Sequence, residues 1–262
     1  MAVSSMLSLD RWRGRLQRAN ARYCGRRPFT MRNRAPMISF TFDDFPRSAL
    51  HTAGRILQDN GIAGTYYVSL GLMGTTAPTG EMFTEEDLPQ LLERGHELGC
   101  HTHAHCHAAE TPVDPFEQSI LDNRAALQRL LPGASAFRTL SYPIGSPRPE
   151  TKRRCERHFA GCRAGGQAHN AGTIDLNLLQ AFFLEQSRDN SNAIKAAIDE
   201  CCDTNGWLIF ATHDVADAPT RYGVTPTLFR DVVRHCIASS ARLVTVTDAL
   251  HGLGVTAEVS SP

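Results

Sequence analysis

The sequence predicts an α/β protein, a single distorted (β/α) barrel of about seven parallel strands. Three observations predict it. Short apolar, β-branched runs alternate with helical patterns from residue 37 to residue 247. The helical patterns stop at glycine, as at Gly61 and Gly95. Side chains capable of chemistry fall at the C-terminal ends of the runs, where barrels of this kind gather their active sites. The chain of 262 residues is 42% hydrophobic, enough for one large domain or two small ones, and no internal repeat is evident. It divides into an arginine-rich leader over 1–35, expected to pack poorly, a barrel domain over 36–255, and a tail over 256–262.

The expected strands, in order, are "MISFTF" (37–42), "GTYYVSL" (64–70), "ELGCHT" (97–102), "SAFRTLSY" (135–142), "AGCRAG" (160–165), "AFFLEQ" (181–186), "WLIFAT" (207–212) and "RLVTVT" (242–247). Between the first two, "SALHTAGRILQDNG" carries Leu50, Ala53, Ile56 and Leu57 at helical spacing and stops at Gly61. "TEEDLPQLLERG" opens on Thr84 with acids in its first turn and stops at Gly95. "DPFEQSILDNRAALQRLLPG", "SNAIKAAIDECCDTNG" and "TPTLFRDVVRHCIASS" read as helices on the same grounds.

Composition narrows the function classes. Lys+Arg and Asp+Glu both number 27, so the formal net charge is zero and no nucleic-acid partner is expected. No apolar run approaches the roughly 18 residues of a membrane span, so none is expected. The segment "RWRGRLQRANARYCGRRPFTMRNR" (11–34) holds nine arginines and no acid. It reads as a targeting segment or an arm for an anionic partner, or else as a solvated leader helix or the product of a start placed too early, and the solvated leader is the expectation. The N-terminus lacks a basic region followed by an apolar core, so a cytoplasmic location is expected. The eight cysteines are then expected as reduced thiols, and no CxxC pair suggests a zinc knuckle.

Candidate site residues converge on one rim. Asp43 and Asp44 end the first run; "HTHAHCH" (101–107) follows the third; Arg138 and Tyr142 lie in the fourth; His213 ends the seventh. Adjacent carboxylates disfavour each other's ionised form unless a cation lies between them. Histidines with a carboxylate suit zinc and related divalent metals. An HxHxDH hydrolase pattern does not fit, because His105 and Cys106 occupy its Asp and His positions.

These residues resemble a family, the polysaccharide deacetylases of carbohydrate esterase family 4, which include nodulation-type chitooligosaccharide deacetylases. The family's T-F-D-D stands as Thr41-Phe42-Asp43-Asp44, its H-[ST]-x-x-[HD] as His101-Thr102-His103-Ala104-His105, and its last histidine as His213 in "LIFATHD". The order matches from residue 37 to about 250. The resemblance implies that Asp44, His101 and His105 hold one divalent metal, zinc first and cobalt or another transition metal next. It implies Asp43 as general base and His213 as general acid toward an acetylated oligosaccharide built from N-acetylglucosamine or its precursor, with loss of N- or O-acetyl groups. The third motif is altered: "RTLSYPIG" offers Arg138 when aligned on its arginine, and puts Ser141 in the arginine's place when aligned on Pro143 and Gly145. Arg138 and Tyr142 are the candidates here for orienting Asp43 or stabilising an oxyanion. The fourth motif's acid is sought in Asp175 of "TIDLNLL", which lacks the accompanying tryptophan. These departures keep two alternatives in view, a carbohydrate binder without turnover and an amidase acting on a non-sugar amide. Acetate release and substrate profiling separate them.

Overall fold

A parallel strand covered on both faces is mainly apolar, and any polar residue it buries needs a partner. "WLIFAT" is such a run, and "MISFTFD" interleaves its apolar residues with Ser39 and Thr41, where Ser39 Oγ accepts from Trp207 Nε1–H (3.0 Å) and Thr41 Oγ1 donates to Phe210 C=O (2.8 Å). The two runs form β2 (Met37–Asp43) and β11 (Trp207–Thr212), buried at every position and paired in parallel from Met37↔Trp207 to Phe42↔Thr212. The computed structural model describes residues 14–255. Within them β2 lies at the middle of a parallel sheet.

The other strands of that sheet are β3 (Thr65–Val68), β6 (Glu97–Cys100), β7 (Thr139–Ser141), β8 (Gly161–Arg163), β10 (Phe182–Phe183) and β12 (Arg242–Leu243). The sheet order is β10-β11-β2-β3-β6-β7-β8, with β12 against β2. The sheet curls without closing. Between its end strands, residues 179 and 181 are tied to β8 and the following loop by Ala164 N–H to Leu179 C=O (2.8 Å) and Gln167 N–H to Ala181 C=O (3.0 Å). The barrel expected from the sequence is thus an open half-barrel of seven strands in line plus one short neighbour.

Each expected helix forms. Ala49–Gly54 is wound as a π-helix and continues into α2 (Arg55–Gln58). α3 (Asp87–Glu93), α4 (Val113–Leu130), α6 (Ser191–Asp203) and α7 (Pro226–Ala238) follow. Gly61 and Gly95 carry φ of +68° and +77°, the left-handed geometry that ends a helix. Two further helices carry no clear apolar period. α5 (Pro149–Cys155) opens on proline at its first turn. α8 (Val246–Gly252) takes the end of the run "RLVTVT", because the Thr245 side chain accepts from Asp248 N–H as an N-cap (3.2 Å) and turns the chain after β12. Aromatic contacts fill the core around β2, including Phe42–Tyr66 at 4.6 Å and Phe45–Phe83 at 4.8 Å between centroids.

The arginine-rich leader, expected to pack poorly, is anchored where it is described. Residues 14–23 form helix α1 and Pro28–Thr30 form β1, antiparallel to β9 (Thr173–Asp175). The buried Lys152 Nζ donates to Ala21 C=O (2.6 Å) and Cys24 C=O (3.0 Å) and pairs with Asp175 at 2.7 Å. An ammonium buried this way needs all three donors satisfied, and the leader's carbonyls supply two of the acceptors. Residues 1–13 and the expected tail 256–262 lie outside the described residues. Among those residues no helix is long and apolar enough to cross a membrane. All eight cysteines are free thiols.

Candidate metal and acid–base centre

Successive side chains of a strand point to opposite faces, so two adjacent aspartates diverge by default. Here a backbone reversal sharpens the divergence. Asp43 ends β2; Asp44 and Phe45 then adopt φ of 63° and 58°. Thr102 (58°) and His105 (50°), on the loop after β6, are also left-handed. Non-glycine residues in this region cost about 1–3 kcal/mol each and collect at functional sites.

The reversal brings Asp44 under two imidazoles. His105 Nε2 lies 3.0 Å and His101 Nε2 3.5 Å from Asp44 Oδ1. Ligand atoms of the three residues lie within 4.8 Å of one another, and among the described residues this is the one such His/Cys/Asp/Glu group. Asp44 Oδ1 is buried without an aligned hydrogen-bond donor. Its Oδ2 accepts from Thr79 Oγ1 (3.0 Å). Burial raises the Asp44 pKa, but the His105 and His101 rings overcome this and hold the carboxyl below the usual range. Buried His101 is pushed down to about 4, chiefly by burial, and is neutral at physiological pH. Its Nδ1–H donates to Ser141 C=O (2.8 Å), which leaves the Nε2 lone pair facing Asp44. One anionic oxygen and two imidazole nitrogens, aimed at a shared space and left without other partners, fit a divalent transition metal.

Asp43 turns the other way, to Arg163 at the end of β8. That guanidinium is buried, and its Nη2 donates to Asp43 Oδ1 and to Ser141 Oγ. It lies over the Tyr67 ring at 5.2 Å and the Phe183 ring at 5.5 Å. Burial raises the Asp43 pKa; Arg163, helped by His101 and His213, more than offsets this and keeps the carboxylate ionised. His213 follows β11. Its Nδ1–H donates to Tyr222 C=O (3.2 Å), and its ring stacks on Phe183 with centroids 6.2 Å apart.

The structure thus gathers Asp43, Asp44, His101, His105 and His213, and it removes three other candidates. Arg138 precedes β7, so its side chain leaves from the opposite end of the sheet. It lines a cavity of roughly 900 Å³ with His96, Glu97 and Thr247. Three residue steps along the strand, about 10 Å, take the chain from Arg138 to Ser141. Tyr142 is buried in the core, where its hydroxyl donates to Asn177 C=O (3.3 Å). Its N–H is already given to Arg163 C=O (2.9 Å), so it offers no donor to an oxyanion. Asp175 is taken by Lys152 and by the N–H groups of Arg27 and Asn177, both at 2.9 Å.

Of the leftover histidines, His103 packs against Gly71, and His107 Nδ1 accepts from Ala109 N–H (3.2 Å). Sequence reasoning missed Arg163, Ser141, Thr79 and Phe183. A signal for Arg163 was present, since it closes the run "AGCRAG" at the same rim as the other candidates. Glu185, just beyond Phe183, is pushed up to about 8 by burial and then by Asp43, and its Oε2 has no partner among the described residues.

A family model described as polysaccharide deacetylase matches residues 30–159. No curated protein matches the chain. Solved structures do. A family 4 acetyl xylan esterase from Clostridium thermocellum, in complex with a cobalt ion, is 18% identical with a TM-score of 0.59, covering 84% of this chain and 93% of its own. The Xyl-CE4 domain of a multidomain xylanase from the hindgut metagenome of Trinervitermes trinervoides is 13% identical with a TM-score of 0.55, covering 85% and 93%. A peptidoglycan deacetylase from Bacillus subtilis is 16% identical with a TM-score of 0.52, covering 84% and 92%. At these identities the likeness is one of fold.

Proposed function

The chain belongs to the polysaccharide deacetylase family, and on that premise we propose that it is a metal-dependent hydrolase that removes acetyl groups from a carbohydrate. The observation that carries the reading is the divergence of the two adjacent aspartates, one toward two imidazoles and the other toward a buried arginine. Asp44, His101 and His105 would hold the ion, zinc in our reading. It would act as a Lewis acid toward the acetyl carbonyl and acidify the attacking water.

The chain's own groups divide the proton transfers. Arg163 fixes Asp43 Oδ1, so the other carboxylate oxygen is the one free to accept a proton from water. His213, its Nδ1–H held by Tyr222, presents Nε2 to protonate the departing nitrogen. Water adds to the carbonyl, the carbon–nitrogen bond breaks, and acetate and a free amine result.

The substrate we favour is an N-acetylglucosamine oligomer or an acetylated glycan precursor met in the cytoplasm. Eight unpaired cysteines support a reducing compartment. The test is metal analysis coupled to acetate release on a panel of chitooligosaccharides, acetylated xylan and simple amides. About one divalent ion per chain, lost in His101→Ala and His105→Ala, together with acetate from the chitooligosaccharides, is expected. A metal-loaded protein that releases no acetate from any of them refutes the assignment.

A further inference from the structure

The arginine-rich segment takes no part in that chemistry, yet its described portion forms a built surface. Helix α1 faces the domain through buried Ala21 and through Gln17, whose Nε2 donates to Ala109 C=O (3.5 Å). Outside that contact Arg15, Leu16, Arg18, Arg22 and Tyr23 are exposed, with Leu16 at the edge next to the domain. Leu16 and Tyr23 are seven residues apart and share one stripe, 45% and 69% exposed. The Arg22 guanidinium lies 5.7 Å from the Tyr23 ring centroid.

These arginines have no acidic partner among the described residues. The nearby acids pair with other groups, Glu110 with His107 and Glu150 with Arg148, each at 3.7 Å and both solvent-exposed, and Glu156 with Asn177 Nδ2 at 2.8 Å. Residues 11–34 hold nine arginines and no acid in a chain of zero net charge, so the rest of the chain carries the opposite excess. The surface also adjoins the site. Leu16 and Asn20 line a shallow groove with Pro147 and Arg148, and the loop leading to Pro147 carries Ile144, 53% exposed, and Gly145, which packs against His107. Leu16, Tyr23 and Ile144 are three of six exposed large apolar side chains among the described residues.

Single exposed apolar side chains are ordinary, and it is their occurrence among unpaired arginines on one helix that is informative here. Arginines interleaved with such residues are the composition of helices that lie in a membrane interface, guanidinium groups at the phosphates and apolar groups at the acyl boundary. We propose that α1 and the Ile144–Pro147 loop dock on an anionic lipid bilayer, so that the mouth of the site opens along the membrane surface.

The experiment is co-sedimentation of the full chain with vesicles of phosphatidylcholine alone or with about a third phosphatidylglycerol. Binding to the anionic vesicles only, weakened by salt, is expected. Each arginine near such a surface contributes about fivefold, so Arg15→Gln/Arg18→Gln/Arg22→Gln should lower partitioning about 100-fold. Leu16→Ser/Tyr23→Ser should lower it about tenfold while leaving the charge intact. All of these positions are exposed, and unchanged melting temperatures would show that the variants fold. The proposal is overturned if wild type ignores anionic vesicles, or if the arginine variant binds as well as wild type. It is also overturned if the Leu16/Tyr23 variant binds unchanged, since the surface would then recognise any polyanion.

Discussion

Replacing Arg163 with serine should lower both stability and turnover, and placing arginine at position 141 in that variant should restore much of each. The guanidinium is 1% exposed, is the only cationic side chain bonded to Asp43 among the described residues, and sits between two aromatic rings. Removing one member of a buried ion pair costs about 3–5 kcal/mol, because the other charge is left uncompensated. For a chain of this length that lowers the melting temperature by roughly 6–20 °C. The folded-state pKa of Asp43 is depressed in the wild type, so its stabilising contribution is full above the unfolded value near 4 and is lost as pH falls through the folded value. Without Arg163, burial dominates and raises that pKa. The acid limb of the rate profile should then move to higher pH, with turnover down roughly 100-fold near neutrality. The rescue rests on register. Ser141 and Arg163 are direct partners in the β7–β8 ladder, so an arginine at 141 starts about 4.8 Å away on the same level, one strand nearer β2. The assays are thermal melting, metal content and acetate release against pH for the two single variants and the double. If Arg163→Ser keeps the wild-type melting temperature and acid limb, or the double variant is no better than that single, the pairing has no such role.

Three further outcomes follow from the geometry. Asp43→Asn should keep the metal and lose roughly 10²–10⁴ in acetate release, whereas Asp44→Asn should lose metal affinity as well, read by metal analysis beside the rate. Lys152→Met should cost about 3–5 kcal/mol in denaturant melts, because Asp175 is left buried without its cation and the carbonyls of Ala21 and Cys24 lose their donor. In chelator-treated protein, stability should fall as pH drops from about 6.5 toward 4. His101 and His96 are both held near 4, so the unfolded chain binds more protons in that window, at up to about 3 kcal/mol per histidine. His105 is shifted the other way and contributes stability below 6.5 that is lost as pH rises through its folded value, which softens the fall. Equilibrium unfolding at a series of pH values measures the sum.

Much of the fold was legible because its elements are locally coded. β2 and β11 are rich in apolar residues and buried at every position, the pattern of strands covered on both faces. The helices ending at Gly61 and Gly95 announce their stops through a conformation that glycine adopts freely. What escaped was coded differently. α8 hides in a β-branched run because a single capping hydroxyl, Thr245, decides the local conformation. α5 is seven residues long, too short to show a period, and its inward face is Thr151, Lys152 and Cys155. The leader's anchoring depends on one buried lysine more than a hundred residues away, which no local pattern reveals.

The site shows the same division more sharply. Residues brought together by their neighbours in sequence were legible from sequence: Asp43 and Asp44 are adjacent at the end of β2, and His101 and His105 lie on the single loop after β6. Arg163 was not, because a group that must reach Asp43 can start from any strand whose C-terminal end faces it. In a parallel sheet, register partners on adjacent strands stand side by side at the same height, so a function can pass from one strand to the next without moving in space. Ser141 and Arg163 are such partners. The serine has two tasks, since its carbonyl fixes the His101 tautomer and its hydroxyl accepts from the arginine that stands next door. A linear motif does not register that arginine, while the rim of the sheet gathers it with two aspartates and three histidines. The strained backbone belongs to the same logic. Left-handed Asp44 and Phe45 separate the two carboxylates, and the reversal is held because Phe45 enters the aromatic cluster with Phe83 and Tyr66. Burying a phenylalanine ring contributes about 2–3 kcal/mol, the same size as the strain it offsets. The aromatic core beneath β2 therefore does more than stabilise the sheet: it keeps two like charges pointing at different partners.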